Sequence, residues 1–457
     1  MKENENLTGN LLQDANDRAI HYLGEIGQRA VAPSPDAVER LSALEGPLPD
    51  ESSDPAEVIR LLDEIGSPAT VATAGPRYFG FVVGGALPVT VAANWLAGAW
   101  DQNPGASLLS PVGVACERIV IGWLVDLFGL PQGSWGGLVT GATEANFSGL
   151  AAARQAILSR QGWDIATKGL FGAPKIRVVV GEEVHVSALL ALRVLGFGRD
   201  DLVRVPTDDQ GRMRADALPE LDENTLVCVQ AGNVNSGSFD PLEAICSKAR
   251  KARAWVHVDG AFGLWAAAAE NRKHLAAGVE LADSWATDAH KWLNVPYDCG
   301  IVLCREPGQL VAVMSLDPAA YIEEARGSAG PADFTLQMSR RARGIEVWAA
   351  LRTLGRSGLE DLIERTCRHA QVFAEGLSAA GFEILNDVVL NQVLVSFGDD
   401  ERTQRVIAAI QEEGTMWAGG TRWHGRQAMR ISVSSWATTT ADVEQSVEAI
   451  VRVADEN

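Results

Sequence analysis

An α/β fold with a mostly parallel sheet flanked by helices is predicted by three features of this 457-residue chain. Short runs rich in Val and Ile alternate with stretches of helical periodicity. Those runs are apolar almost throughout, as strands covered on both faces are. Polar residues gather where the runs end, the edge at which open α/β sheets bind ligands.

The chain opens with Leu12, Ala15, Ala19, Tyr22, Leu23 and Ile26 at helical spacing. Pro33, Pro35, Pro47 and Pro49 bracket a stretch that reads mostly as linker, and a second helix is expected over 55–65. Such pieces cannot bury their apolar faces alone, so residues 1–75 are expected to form a helical segment packed on the main body or on a second copy. From residue 76 the texture becomes aromatic and Gly-rich: Arg77-Tyr78-Phe79-Gly80-Phe81, Gly84-Gly85, then Trp95 and Trp100.

Strands are expected over 137–140, 176–180, 226–230, 255–259, 281–286 and 301–304. The first runs into Gly141-Ala142-Thr143-Glu144-Ala145-Asn146 and a helix. The free N–H groups at such a helix start suit a phosphate, although Thr143 would serve equally as a plain cap. The second is followed by His185, with a helix over 187–195. The third is followed by Gly232-Asn233-Val234-Asn235-Ser236-Gly237. This large domain spans 76–345. A smaller α+β domain fills 346–457, with helices over 346–354, 359–377, 402–412 and 442–453 and strands over 393–397 and 429–433.

Composition excludes several classes. Fifty-nine acidic against 39 basic residues give a formal charge of −20, which repels nucleic acid and anionic membranes. The longest apolar tract, 86–100, is too short to span a bilayer. The N-terminus has no apolar core of a secretory signal. Six scattered cysteines with no C-x-x-C pair argue against a metal site or a disulfide framework and fit a reducing, cytoplasmic compartment.

Two residues carry the chemistry. Lys291 follows an apolar run and precedes the Pro296-Tyr297-Asp298-Cys299-Gly300 turn, close to the sheet. Partial desolvation there lowers the pKa of an ammonium and frees its amine as a nucleophile. Asp259 ends the alternating strand Trp255-Val256-His257-Val258-Asp259, 32 residues earlier, which leaves room for one crossover to a neighbouring strand. A Schiff-base lysine and an aspartate for a pyridinium nitrogen are the demands of pyridoxal phosphate (PLP).

With those motifs the chain resembles the group II PLP-dependent amino-acid decarboxylases, of aspartate-aminotransferase-like fold type I. The resemblance runs from Arg77-Tyr78-Phe79-Gly80-Phe81 to Arg430-Ile431-Ser432-Val433. It is most specific at Asp288-Ala289-His290-Lys291-Trp292, Val258-Asp259-Gly260-Ala261, the His185 segment, and Gly232 through Phe239-Asp240-Pro241. It implies that Lys291 bonds the cofactor aldehyde, that Asp259 keeps the ring nitrogen protonated, and that His185 stacks on the ring and touches the substrate carboxylate. It implies further that Ala142, Thr143 and His290 hold the phosphate with Asn233 and Asp288 nearby, and that Ala261 lies against the ring. Arg430 is read as a partner for a substrate carboxylate or as an ordinary exposed arginine. Phe79, Phe81 and Trp100 lean towards an aromatic or apolar amino acid. The resemblance also implies a homodimer with shared active sites.

One position departs from the family. Many members carry a tyrosine on a mobile loop that returns a proton to the substrate carbon, and its place here falls at about Pro331. The loop over 316–337 holds only Tyr321, about ten residues early. Either Tyr321 serves, or another acid does, or reprotonation differs. Decarboxylation is the expected reaction, with aldehyde formation, transamination or another carbon–carbon lyase reaction as alternatives and a non-catalytic PLP-fold binding protein as a third class.

Overall fold

The structure, a computed structural model, describes residues 2–315 and 330–457. Tyr321 and the rest of 316–329 lie outside the described residues. Seven strands build the central sheet: β1 (Trp135–Val139), β2 (Arg177–Gly181), β3 (Val203–Val205), β4 (Thr225–Gln230), β5 (Trp255–Asp259), β6 (Ser284–Asp288) and β7 (Gly300–Cys304). Their order is β1-β7-β6-β5-β4-β2-β3. The neighbours from β3 to β6 run parallel, and β7 is antiparallel to both β6 and β1.

Every residue of β5, β6 and β7 is buried, polar ones included, as in strands covered on both faces. Alternation still sorts the side chains of β5. Val256 and Val258 enter one core with Trp265, Trp285 and Trp292, whereas Trp255 enters the other with Leu150, Ala152 and Ala153.

The principal helices are α1 (Lys2–Glu25), α2 (Pro88–Trp100), α3 (Pro111–Leu127), α4 (Ala142–Arg160), α5 (Val186–Val194), α6 (Leu242–Ala252), α7 (Pro307–Met314), α8 (Gly344–Ala379), α9 (Asp400–Glu413) and α10 (Thr440–Glu456). Pro88, Pro111 and Pro307 each open a helix, where the missing N–H would be unpaired anyway. The two helices expected over 346–354 and 359–377 are the two arms of α8, which meet at a kink at Gly355 (φ 60°, ψ −170°). Glycine reaches that backbone without a Cβ clash.

A second sheet of order β10-β11-β9-β8 joins β8 (Glu383–Ile384), β9 (Gln392–Ser396), β10 (Gly419–Trp423) and β11 (Arg426–Ser432), all antiparallel. β8 and β10 were not expected. β8 is two residues long, and β10 reads Gly-Gly-Thr-Arg-Trp, which carries no strand signal until it pairs with β11.

The N-terminal segment is pinned by polar contacts. Arg18 pairs with Asp63 at 3.0 Å, and Arg29 donates to the carbonyls of Ser67, Pro68 and Thr70. The stretch read as linker contains a helical turn, Pro35–Glu39, capped by Ser34, and a 3-10 turn, Arg40–Leu44. Leu12, Ile20 and Leu23 of α1 stay exposed.

Two knots position the Lys291 turn. Buried Asn294 donates to the carbonyls of Trp292 (2.8 Å) and Ser434 (3.0 Å), accepts from the Trp436 amide (2.8 Å), and its carbonyl takes the Leu87 amide (2.8 Å). Arg341 and Arg343 both bind the Asp298 carboxylate, at 3.1 Å each.

Candidate active site

The carboxyl edge of the parallel strands collects the site. Gln230 pairs with Asp259 across β4 and β5, Asp259 with Ala286 across β5 and β6, and Asp288 with Gly300 across β6 and β7. β1 ends beside Gly300, and α4 starts directly after. The antiparallel step from β6 to β7 needs no crossover helix. Residues 289–299 therefore stay at this edge and hold Lys291 there. Close approach demands small residues here. A Cβ on Gly84 would lie 1.8 Å from the Lys291 carbonyl oxygen, and one on Gly300 2.4 Å from the Gly141 carbonyl carbon.

Lys291 is mostly buried, and its Nζ lies 3.0 Å from Asp288 Oδ2. Asp288 Oδ1 accepts the first N–H of α4, from Ala142, at 2.6 Å. The next N–H groups, on Thr143 and Glu144, have no acceptor among the described residues. Thr143 itself is exposed and makes no cap bond, so of its two readings the cap is excluded. His290 Nδ1 accepts the Cys299 amide at 3.1 Å, which leaves Nε2 to carry the proton, 3.6 Å from Asp288 Oδ1. Burial lowers the His290 pKa, with Asp288 opposing and Lys291 adding. A neutral ring follows.

Asp259, 6% exposed, accepts from Asn146 Nδ2 (3.0 Å) on Oδ2 and from the Ala261 amide (3.2 Å) on Oδ1. Each oxygen keeps a further lone pair. Ala261 is fixed because its carbonyl takes the Asp288 amide at 2.9 Å. His185 caps α5. Its Nδ1 faces both the Ser187 amide (3.2 Å) and the Ser187 hydroxyl (2.7 Å), so Nδ1 accepts and Nε2 bears the proton. Burial lowers the His185 pKa. Lys291 and Arg430 lower it further, and Asp259 and Asp288 oppose. Ser187 Oγ, which meets His185, also lies 3.4 Å from Asn146 Nδ2, the donor to Asp259, so His185 and Asp259 share one cluster.

Arg430 is largely buried, and the one side-chain hydrogen bond it makes among the described residues is a long one, 3.4 Å, to Asn235 Oδ1. No carboxylate lies within ion-pair distance of it among the described residues.

Two expected residues sit elsewhere. Phe79 does not face the crevice: it is 1% exposed and meets Phe373 edge-on in the core of the small sheet. A large apolar ring gains more from that core than from a polar site. Asn233 spends its side chain within its own loop, accepting from the Asn235 and Ser236 amides and donating to Gln230. It orders that turn and has little left for a phosphate.

Phe81 is 67% exposed and stacks on Trp417 at 5.7 Å, with Tyr78 on Trp417 at 5.1 Å. Trp100, at the end of α2, is 44% exposed and joins neither this stack nor any hydrogen bond to the crevice. Asn146, His257, Ser284 and Trp417 went unread in the sequence. The strand period could have found His257, two residues before Asp259 on the same face. Trp417 is brought in from the far end of the chain and left no local signal.

These groups fit pyridoxal phosphate. The free N–H groups at the α4 start, with neutral His290 beside them, suit its phosphate. Asp259 suits its ring nitrogen, and Lys291 its aldehyde.

Residues 42–398 match the family described as the pyridoxal-dependent decarboxylase conserved domain. The chain is 26% identical over 462 residues to an aromatic-L-amino-acid decarboxylase of Bacillus atrophaeus, covering 96% of this chain and 94% of that one. It is 27% identical over 424 residues to tryptophan decarboxylase 1 of Oryza sativa subsp. japonica, covering 84% and 81%. A crystal structure of Oryza sativa TDC with PLP and tryptamine superposes with a TM-score of 0.90 at 23% identity, covering 98% of each chain. The chain belongs to the pyridoxal-dependent decarboxylase family, enzymes that use pyridoxal phosphate to remove the carboxylate of an amino acid.

Proposed function

We propose that the substrate is an L-amino acid with an aromatic or apolar side chain, and that Lys291, Asp259 and His185 carry the reaction. What supports this reading is geometry: Asp259 ends β5, Lys291 stands three residues past the end of the neighbouring β6, and His185 is linked to Asp259 through Ser187 and Asn146.

The bound cofactor supplies an electron-accepting ring, which takes up the charge left as CO2 departs. Asp259 holds the ring nitrogen in its protonated form. Lys291 Nζ would bond the cofactor's aldehyde, and its amine would serve as base and acid beside the reacting carbon. Asp288 orients Lys291 while it waits. Ala142, Thr143 and His290 hold the phosphate. His185 Nε2–H, which has no partner among the described residues, donates to the substrate carboxylate.

Phe81 is exposed in the stretch held at one end by the Ser432 amide on the Phe79 carbonyl and at the other by Gly84 packed on the Lys291 carbonyl. That is the support for an aromatic or apolar side chain. Arg430 accepts a carboxylate from the substrate. The exposed apolar residues Leu12, Ile20 and Leu23, with Leu61, Leu62, Trp95, Leu96, Leu108 and Leu109, support a homodimer whose copies complete each other's sites. Sedimentation at micromolar concentration tests this, and a monomer there refutes it. The six cysteines are all free thiols, which suits a reducing, cytoplasmic compartment.

The test is CO2 release from a panel of amino acids by the PLP-loaded protein. Aromatic or apolar substrates should be favoured. Release only from acidic or basic amino acids would defeat the substrate assignment. A second reading is favoured by Pro331, which opens the 3-10 turn Pro331–Phe334 where a tyrosine was expected. It predicts that, with dioxygen as oxidant, the products are aldehyde, ammonia, CO2 and hydrogen peroxide rather than amine and CO2, and product analysis in the same aerobic assay separates the two.

A further inference from the structure

Asp259 is the end of a longer chain of contacts. Asn146, fully buried one turn into α4, donates from Nδ2 to Asp259 Oδ2. Its Oδ1 lies 2.9 Å from His257 Nε2. His257 Nδ1 lies 2.8 Å from Ser284 Oγ, which accepts Trp255 Nε1–H at 3.0 Å. The fold explains why these residues meet. Trp255, His257 and Asp259 share one face of β5, Ser284 sits opposite His257 in the β5–β6 register, and α4 covers that face. Gly149 of α4 makes the room, since a Cβ there would lie 2.6 Å from His257 Cε1.

The direction of every proton follows from chemistry. A carboxylate only accepts, so the Asn146 amide must turn its NH2 to Asp259. Its oxygen then faces His257, so Nε2 carries the imidazole proton. The neutral ring accepts on Nδ1, and Ser284 donates to it while accepting from Trp255. A protonated His257 would need Ser284 to accept twice. Its hydroxyl proton would lose that acceptor.

We propose that Trp255, Ser284, His257 and Asn146 form a one-way hydrogen-bond chain that aims Asp259 at the ring nitrogen of the bound cofactor, with His257 as its positioning residue. The proposal rests on the assignment of Asp259 to that nitrogen. Without Nε2–H, the Asn146 oxygen loses the donor that fixes it, and only Asp259 and a long 3.4 Å contact to Ser187 Oγ hold the amide in place. A looser amide aims the carboxylate less firmly. A ring nitrogen held less firmly in its protonated form withdraws less charge, so the imine at Lys291 keeps its proton to higher pH.

The test compares the pH titration of the bound cofactor's visible absorption band, and cofactor retention on dilution, in the PLP-loaded wild type and variants. His257→Asn removes the donor at the Nε2 position and should raise the band's midpoint by about one unit or more and weaken retention about tenfold. His257→Gln restores a donor at that position and should return both to within about threefold of wild type. Asp259→Asn should move the band at least as far as His257→Asn. An unmoved band in Asp259→Asn overturns the ring-nitrogen assignment, and the chain with it. A moved band there, with no shift in His257→Asn or with equal shifts in the Asn and Gln variants, leaves that assignment standing and overturns the chain. If His257→Asn does not fold, Ser284→Ala decides: a smaller upward shift supports the chain, and none overturns it.

Discussion

The two ends of the crevice are built on opposite terms. At the Asp259 end, buried groups are partnered within the protein: Asn146, His257, Ser284 and the Ala261 amide leave the carboxylate with only outward lone pairs. At the Lys291 end, Asp288 holds both the lysine and the first N–H of α4, while the Thr143 and Glu144 N–H groups have no acceptor among the described residues. One end is finished before a ligand arrives. The other must exchange partners to bind one. A buried polar group is costly unless satisfied, so orientation is fixed where packing is complete. Chemistry is left where charges remain exchangeable.

Four measurements break or sharpen this contrast. Lys291→Ala should abolish the absorption band of the protein-bound imine and lower turnover by about 10⁴-fold or more. A surviving band would mean that another amine holds the cofactor. Asp259→Asn should keep the imine and lower turnover by about 10²- to 10³-fold, and wild-type turnover would show that the closed end does not act on the ring.

Next comes pH. Burial lowers the His257 pKa to about 4, with Asp259 opposing. Its unfolded value is about 6.5, so the unfolded chain binds the extra proton between these limits. Its contribution to stability is complete above pH 6.5 and is lost as pH falls towards 4, about 3 kcal/mol in all. His257→Gln should flatten that part of the urea-midpoint profile. An identical slope in both proteins would mean that His257 is not held neutral by folding.

The smallest effect belongs to the open end. Thr143→Pro deletes one N–H at the start of α4, where proline is tolerated. It should weaken cofactor binding about tenfold, the scale of one charge-assisted hydrogen bond, with the thermal midpoint of the apoprotein little changed. Unaltered affinity would show that this N–H does not meet the phosphate.

Much of this was legible in the chain. β5 was read to the residue, because a buried strand ending in a lone carboxylate has both a period and a stop. Lys291 was legible because its flanking apolar runs mark two strands, and β6 and β7 lie on either side of it. Phe79 and Asn233 were read as site residues from type and neighbourhood. Phe79 was placed by a core whose other members lie far away in sequence, such as Phe373, and Asn233 by bonds within its own turn, to Gln230, Asn235 and Ser236. The helices expected over 346–354 and 359–377 are the two arms of α8, legible because Gly355, whose φ of 60° leaves the helical region, marks the kink between them.

By itself, the sequence determined the α/β alternation, the strand-end placement of Asp259 and Lys291, and the phosphate-suited start of α4. These depend on local period and on residues that stop it. Only the tertiary structure decided which buried polar groups answer each other. Asn146 reaching His257 across 111 positions, and Asp288 reaching Ala142 across 146, are pairings of separate elements. No local preference encodes them, because a hydrogen bond between distant residues exists only after the sheet has brought its strands and their covering helix together.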